Sequence, residues 1–283
     1  MAGRLVICPT PIGNLGDMTL RTLEELRAAD TVCAEDTRVT GKLLAHFGIE
    51  KRLERLDEAA ITRQAGRIAE RIAAGETVAF CSDAGMPGVS DPGARLIEAT
   101  RAAGGQVEVL PGASAAVTAY VASGFNNPRF FFGGFFPRKD AERRETLRAL
   151  SSLDAVLMFY ESPRRIVSAL SAVAEMLPKR EVAVCRELTK VHEEVARGPV
   201  SAILDEFARR DEEGGVKGEI VLVIGPATQA EEEERRADAA SSAAARAAEL
   251  IAQSDMTRKE IVKALRDEFG IPRNEAYDLV MKA

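Results

Sequence analysis

Phe80-Cys-Ser-Asp-Ala-Gly-Met-Pro-Gly-Val-Ser-Asp-Pro-Gly93 is the stretch that decides how this chain is read. The apolar run Thr77–Cys81 before it predicts a buried strand. Asp91-Pro92 predicts the start of a helix, with Asp91 as N-cap and Pro92 in the first turn. Between them Ser82–Ser90, with Gly85, Pro87 and Gly88, makes a shaped loop at the strand's carboxyl end. Ligands of open α/β sheets sit outside that end of the strands. A turn-rich connection without a ligand is the other reading of such a Gly/Pro cluster. The loop's length and its two acidic residues favour a ligand.

On the amino-terminal side, Arg4–Cys8 is a short apolar strand followed by the loop Pro9–Asp17 and a helix over Thr19–Ala29 carrying Leu20, Leu23 and Leu26. Thr31–Ala34 is the next strand, ending in Glu35-Asp36-Thr37-Arg38, before a helix over Lys42–Phe47. A weaker extended piece covers Arg52–Leu56, and Ile61, Ala65, Ile68 and Ile72 mark one face of the following helix. Beyond the opening loop come a helix over Pro92–Ala103, a strand over Gln106–Leu110, the turn Pro111–Ala115 and a small-residue helix to Ala122. Strands alternating with helices predict a parallel sheet with right-handed crossovers. Four strand ends carry loops rich in Gly, Pro or acids, which points to one ligand-facing sheet edge.

The pattern breaks at Ser123–Pro128, so domain limits of 1–123 and 124–226 are expected. Phe130–Phe136 is extended and aromatic, and Arg138–Leu150 is a basic helical segment. Ala155–Tyr160 is a strand, after which Ser162 as N-cap and Pro163 at N1 open a helix burying Ile166, Leu170, Val173 and Leu177. Strands over Glu181–Cys185, His192–Arg197 and Glu219–Ile224, with a helix over Pro199–Arg209, give this half a sheet of its own. Residues 227–255 read as a helical linker, because Ala230–Gln253 is rich in Ala, Glu and Arg with few large apolar residues. Residues 256–283 read as a small helical module. A Thr257/Glu260 capping box, an Ile261/Leu265/Phe269 stripe, Gly270 as stop and Asn274 as a second cap carry that reading. The pair resembles a helix-turn-helix; an interaction or RNA-contact role stays open beside DNA binding.

The chain has 283 residues, 46% hydrophobic and 29% charged, room for two domains of a soluble protein. No apolar run approaches the roughly 20 residues of a membrane span. The amino terminus leads straight into a strand, so no signal peptide is expected, and the setting expected is cytoplasmic. Cys8, Cys33, Cys81 and Cys185 sit in apolar strands without metal-ligand spacing and read as buried free thiols. With only His46 and His192, no histidine-based metal site is expected. A net charge of −6 argues against nonspecific nucleic-acid binding but permits a local basic face.

Thr10-Pro-Ile-Gly-Asn-Leu-Gly16 lacks Gly-x-Gly-x-x-Gly, and no Gly-Lys-Ser/Thr phosphate loop is present. Ser82, Ser90 and Ser114 have no evident histidine partner for a hydrolase triad. Arg138, Lys139, Arg143, Arg144 and Arg148 form either a solvated helix face or, with Arg129 and the phenylalanines, a phosphate-contacting and base-stacking rim. Arg164 and Arg165 open a helix, where cations oppose the dipole unless an anion is present.

Six segments, taken together and in order, carry a family resemblance. They are Pro9-Thr-Pro-Ile-Gly-Asn-Leu-Gly-Asp-Met-Thr19, Ala34-Glu-Asp-Thr-Arg38, Ser82–Gly93, Pro111-Gly-Ala-Ser-Ala115, Phe159-Tyr-Glu-Ser-Pro-Arg-Arg165 and Cys185-Arg-Glu-Leu-Thr-Lys190. The chain resembles the ribosomal RNA methyltransferases of the tetrapyrrole-methylase superfamily over about residues 4–226, and its tail is similar to that family's helical extension. Two departures stand out. Leu56-Asp-Glu-Ala-Ala60 replaces a His-Glu-His-Asn-like stretch, and Arg164 stands where a histidine is common.

The resemblance implies an α/β fold of two domains, a parallel-sheet amino-terminal domain and a mixed-sheet second one, with a cleft for S-adenosylmethionine. It implies 2′-O-methylation of a cytidine ribose in the decoding region of 16S ribosomal RNA, on the RNA or the small subunit, by a homodimer without metal or membrane. The cofactor-binding residues it implies are Ile12, Asp83, Ala84, Gly85, Met86, Ser114, Ala115, Phe159, Tyr160, Arg186, Glu187 and Glu219. Asp36 and Glu161 are candidate proton acceptors, and Arg38, Arg165 and Lys190 candidate RNA-phosphate contacts. The same acids and cations also read as a structural ion-pair network. A precorrin-type C-methyltransferase and a non-catalytic RNA-binding assembly protein are the competing functions.

Overall fold

The computed structural model of the protein describes residues 3–253 and 256–282. The expected segment limits at 1, 255 and 283 lie outside the described residues. By its contacts the chain forms two units, one up to Pro226 and one from Ala227 onward.

The first unit opens with β1 (Arg4–Ile7), α1 (Leu20–Ala28), β2 (Thr31–Ala34), α2 (Thr37–His46), β3 (Leu53–Arg55), α3 (Glu58–Ala73), β4 (Thr77–Cys81), α4 (Ala94–Ala102) and β5 (Gln106–Val109). The five strands are all parallel, in the order β3-β2-β4-β1-β5. Both faces are covered, so neighbouring strand residues enter different cores. Leu5, Ile7 and Phe80 pack with Ile61, Ile68 and Leu96, while Val6, Ala79 and Cys81 pack with Leu26 and Leu44. The chain leaves β1 toward β2 and leaves β4 in the other direction, toward β5. The crevice between β1 and β4 is therefore the switch point of the sheet, where such folds bind ligands. Thr10 and Gly85 bridge it with two backbone hydrogen bonds of 3.0 Å.

α5 (Ala115–Ser123), β6 (Phe130–Phe135), α6 (Asp140–Leu150), β7 (Val156–Glu161), α7 (Ile166–Met176), β8 (Glu181–Arg186), β9 (Glu194–Pro199), α8 (Val200–Gly214) and β10 (Ile220–Ile224) follow. Their strands form a mixed sheet in the order β6-β7-β10-β8-β9, with only β6 and β7 parallel. Phe159, Val184 and Leu222 pack under α6, α7 and α8, through Leu147, Leu170 and Phe207. Ala116 and Ala119 of α5 cover the other face, over Met158, Ala183 and Val221. So α5, assigned from sequence to the first domain, packs on the second sheet. The four cysteines are buried free thiols.

Several helix starts correct the sequence reading. α2 begins at Thr37, five residues early, because the Asp36 carboxylate accepts the Arg38 N–H at 2.8 Å. Asp91 caps nothing: α4 starts at Ala94 behind Gly93, whose φ of 140° takes the chain out of the path Asp91-Pro92 would have set. Ser162 is not a cap either. Its carbonyl accepts the Arg165 N–H at 3.0 Å in a turn, and α7 begins at Ile166. The strand read at His192–Arg197 lies at Glu194–Pro199, and α8 runs on to Gly214.

The second unit holds α9 (Gln229–Gln253), α10 (Arg258–Phe269) and α11 (Arg273–Lys282). Ala243 and Ala247 are wholly buried among Ile261, Leu265, Ala276 and Val280, so α9 is a packed helix rather than a solvated linker. Its small side chains admit α10 and α11 at close range. The Thr257–Glu260 capping box is present and Gly270, at φ 66°, ends α10, whereas Asn274 lies inside α11 instead of capping it. No helix among the described residues is long and apolar enough to cross a membrane.

Candidate active site

A cavity of about 850 Å³ lies where the carboxyl ends of the parallel strands meet the ends of β7, β8 and β10. Its first wall comes from the loops after β1 and β4 and the start of α5: Ile12, Ala84, Gly85, Met86, Val89, Asp91, Ser114 and Ala115. Gly85 has φ 76°, and a Cβ there would meet Ile12 Cγ2 at 3.3 Å, so both its conformation and the close approach call for glycine. The second wall comes from Tyr160, the turn Glu161–Arg165, Arg138, and the Gly218–Val221 approach to β10. Ser90, whose own φ is 62°, stands close beside Gly134 of β6, where an added Cβ would come within 3.2 Å of its Oγ. Holding a serine in that region costs on the order of 1 kcal/mol or more.

The charged groups divide by wall. Glu161 is fully buried. It accepts the Ser162 N–H at 2.6 Å and Arg165 Nη2 at 2.5 Å, with Arg143 Nη2 at 3.7 Å on its other oxygen. Arg143 is itself buried and donates to the Pro137 carbonyl and Ser168 Oγ. Arg138 and Arg164 line the cavity exposed, and among the described residues neither meets a carboxylate. Opposite them, burial, reinforced by the Glu35 and Asp83 charges, pushes the Asp91 carboxyl up to about 6. Burial, with the charge of Asp91, likewise raises the Tyr160 phenol. The cavity therefore has a cationic rim on one side and an acidic, partly dehydrated lobe on the other.

Of the residues singled out in the sequence, Ile12, Ala84, Gly85, Met86, Ser114, Ala115, Tyr160, Glu161, Arg165 and Glu219 line this cavity. Phe159 does not. It points to the opposite face of β7 and packs on Phe136. Asp83 stands behind the wall, accepting the Asp36 N–H at 3.1 Å while its own N–H donates to Glu35 at 3.2 Å. Asp36 is outside the cavity. Arg38 donates to it at 2.8–3.2 Å and 2.5 Å and holds its carboxyl well below the usual carboxylate range. Arg186 pairs with Glu194 at 2.9 Å. Lys190 is held between Glu187 and Glu219, each at 2.8 Å, and its stem fills the space beside Gly13. Sequence reasoning missed Asp91 as a cavity residue, having spent it as a helix cap. Arg138, read as either a solvated face or part of a phosphate-contacting rim, and Arg164, read as a helix-start cation calling for an anion, both line the cavity. Strand alternation alone does not settle Phe159 against Tyr160, since Glu161, which shares the Phe159 face, also lines the cavity at the strand's end.

Fold and site now define a class: the chain belongs to the tetrapyrrole methylase family, whose model, Tetrapyrrole (Corrin/Porphyrin) Methylases, matches residues 4–204. Crystal structures of that architecture superpose on it, diphthine synthase with a TM-score of 0.60 at 17% identity (78% of this chain, 90% of that one). The methyltransferase CobJ gives 0.59 at 20% identity (80% and 95%). Within the family its sequence is similar to proteins named ribosomal RNA small subunit methyltransferase I. The protein of that name from Bacillus subtilis is 39% identical over 276 residues (98% of this chain, 93% of that one). The one from Erythrobacter litoralis is 46% identical over 226 residues (80% and 79%).

Proposed function

We propose that the protein methylates ribosomal RNA of the small ribosomal subunit from S-adenosylmethionine, the acceptor being the 2′-oxygen of a cytidine ribose in the decoding region of the 16S molecule. The observation that carries this reading is the bipolar cavity at the sheet's switch point, in a chain whose relatives bear the name of that RNA methyltransferase along nearly their whole length. The residues present fit the donor. About 850 Å³ suits a molecule of its size, Gly85 leaves the cradle that a Cβ would fill, and the acidic lobe suits a cationic sulfur. When bound, S-adenosylmethionine supplies an activated methyl group.

Ile12, the Ala84–Met86 backbone, Ser114, Ala115, Tyr160 and Glu219 are placed to hold it. Asp83, Phe159, Arg186 and Glu187 support those residues from behind. Arg138, Arg164 and Arg165 offer an anionic substrate its cationic rim, with charge-assisted bonds of the kind phosphates accept. Glu161 aims Arg165, and Arg38, paired with Asp36 at the end of β2, stands outside the cavity lining. Holding the hydroxyl in line with the methyl is most of the catalytic task. A homodimer and a cytoplasmic setting belong to the same reading; a monomer in sedimentation equilibrium at micromolar concentration would remove the first.

The test offers methyl-tritiated S-adenosylmethionine to small ribosomal subunits, free 16S RNA and a precorrin. Label on a ribose of the subunit or RNA is the expected result. Label on the macrocycle would make the protein a tetrapyrrole C-methyltransferase, and none on any acceptor would leave a non-catalytic RNA-binding protein.

A further inference from the structure

We infer that Phe135 is the platform on which the base of the acceptor nucleotide stacks, so that the cavity takes its RNA as one unstacked nucleotide. This rests on the RNA-methylation reading above. Among the described residues, Phe135, Phe136 and Tyr160 are the aromatic residues that line the cavity. Phe136 is buried against Phe159 and Tyr160 is half-covered, whereas Phe135 is 64% exposed. Exposure by itself says little, since single apolar side chains are common on protein surfaces. What sets Phe135 apart is that the backbone is built to turn it out. Phe132 pairs with Met158 and Phe135 with Tyr160, so Gly133 and Gly134 of β6 together stand opposite the single Phe159. That is a β-bulge, an extra residue in one strand that re-aims the side chains after it.

In unbroken register Phe135 would fall opposite Glu161, on the face where Phe159 packs into the core. The bulge carries it instead to the face of Tyr160, with ring centroids 5.5 Å apart at 72°, and sends Phe136 into the core in its place. Both glycines serve this turn: a Cβ on Gly133 would run into the Phe159 ring, and Gly134 holds φ at 69°. The surroundings name the ligand. Arg138 follows three residues on and Arg164 stands in the turn after β7. Both line the same cavity exposed, and among the described residues neither meets a carboxylate. A flat apolar ring in company with such cations suits a flat base that carries a phosphate, as in the recognition of unstacked RNA. Stacking tolerates any base, so Phe135 fixes where the ribose lies rather than which base it bears.

The test compares wild type, Phe135→Ala, Phe135→Leu, Phe135→Tyr and Phe135→Trp in single-turnover methylation of small subunits, with calorimetry of S-adenosylmethionine for each. Ala and Leu should lower the second-order rate constant on the order of tenfold to a hundredfold, while Tyr and Trp stay within about threefold of wild type. Donor affinity should stay within about threefold throughout. The chain has no tryptophan, so Phe135→Trp installs a sole indole at the site. Its fluorescence should be quenched by oligocytidylate and not by inorganic polyphosphate. An Ala or Leu variant that keeps the wild-type rate constant would overturn the assignment and leave the methyltransferase reading standing. Donor affinity lost with the ring would place Phe135 on the donor and overturn it too. So would an indole that oligocytidylate leaves unquenched or that polyphosphate quenches equally. A wild type that labels no RNA would overturn both the assignment and the reading beneath it.

Discussion

The loop after β4 and the turn after β7 face each other across one cavity and are built from similar parts. Each follows a buried strand, each combines serine, proline and an acid, and each precedes a helix. Their acids nevertheless end in opposite states. Glu161 is sealed between Arg143 and Arg165, while among the described residues Asp91 meets no cation and feels the charges of two other acids. A carboxylate is a fastener in one wall and stands without a counter-charge in the other. What separates the two is the company each keeps, three to five residues away in the turn or across a sheet.

The comparison can be broken most forcefully at Glu161. Glu161→Ala leaves the Arg143 guanidinium buried without its carboxylate, and a loss of about 3 kcal/mol in the urea-unfolding free energy is expected. A loss below about 1 kcal/mol would show that the carboxylate is no fastener. The next effect is on substrate. Arg165→Ala removes one charge-assisted contact, so KM for small subunits should rise about tenfold, with calorimetric affinity for S-adenosylmethionine unchanged. A normal KM would take Arg165 off the RNA face.

The smallest effect has the opposite sign. Asp91 has its pKa raised from 3.8 to about 6 in the fold, so as a neutral acid it is fully accommodated below pH 4, and that accommodation is lost as pH rises through 6. Asp91→Asn should therefore be more stable than wild type at pH 7, on the order of 1 kcal/mol once solvent screening of a half-buried group is allowed for, and the difference should vanish below pH 4. Equal melting temperatures across that range would mean the carboxylate sits comfortably in water.

Much of this was legible in the chain. Thr31–Ala34 and Thr77–Cys81 are the observed strands to the residue, because a parallel sheet buried on both faces writes itself as short apolar runs. The loops at the strand ends, and the ligand they imply, followed from the same pattern. Helix starts were less legible, since a cap is a bond and not a residue type. Asp36, read as a catalytic candidate, makes such a bond; Asp91, read as a cap, does not. The packing of α9 was hidden because alanine carries too little apolar signal to announce a buried face, yet Ala243 and Ala247 are wholly buried. Side-chain pairing, which sorts Glu161, Lys190 and Asp91 into different roles, joins residues from separate strands and has no local trace.

The account turns on the cavity between these two loops being the seat of the methyl donor. Ultraviolet crosslinking of methyl-tritiated S-adenosylmethionine to the intact protein, followed by peptide mapping, tests this directly. Label in the peptides that carry Gly85–Met86 or Ser114–Ala115, competed away by unlabelled donor, is the predicted result. Specific label confined to residues 227–283, or no specific label at saturating donor, would contradict it.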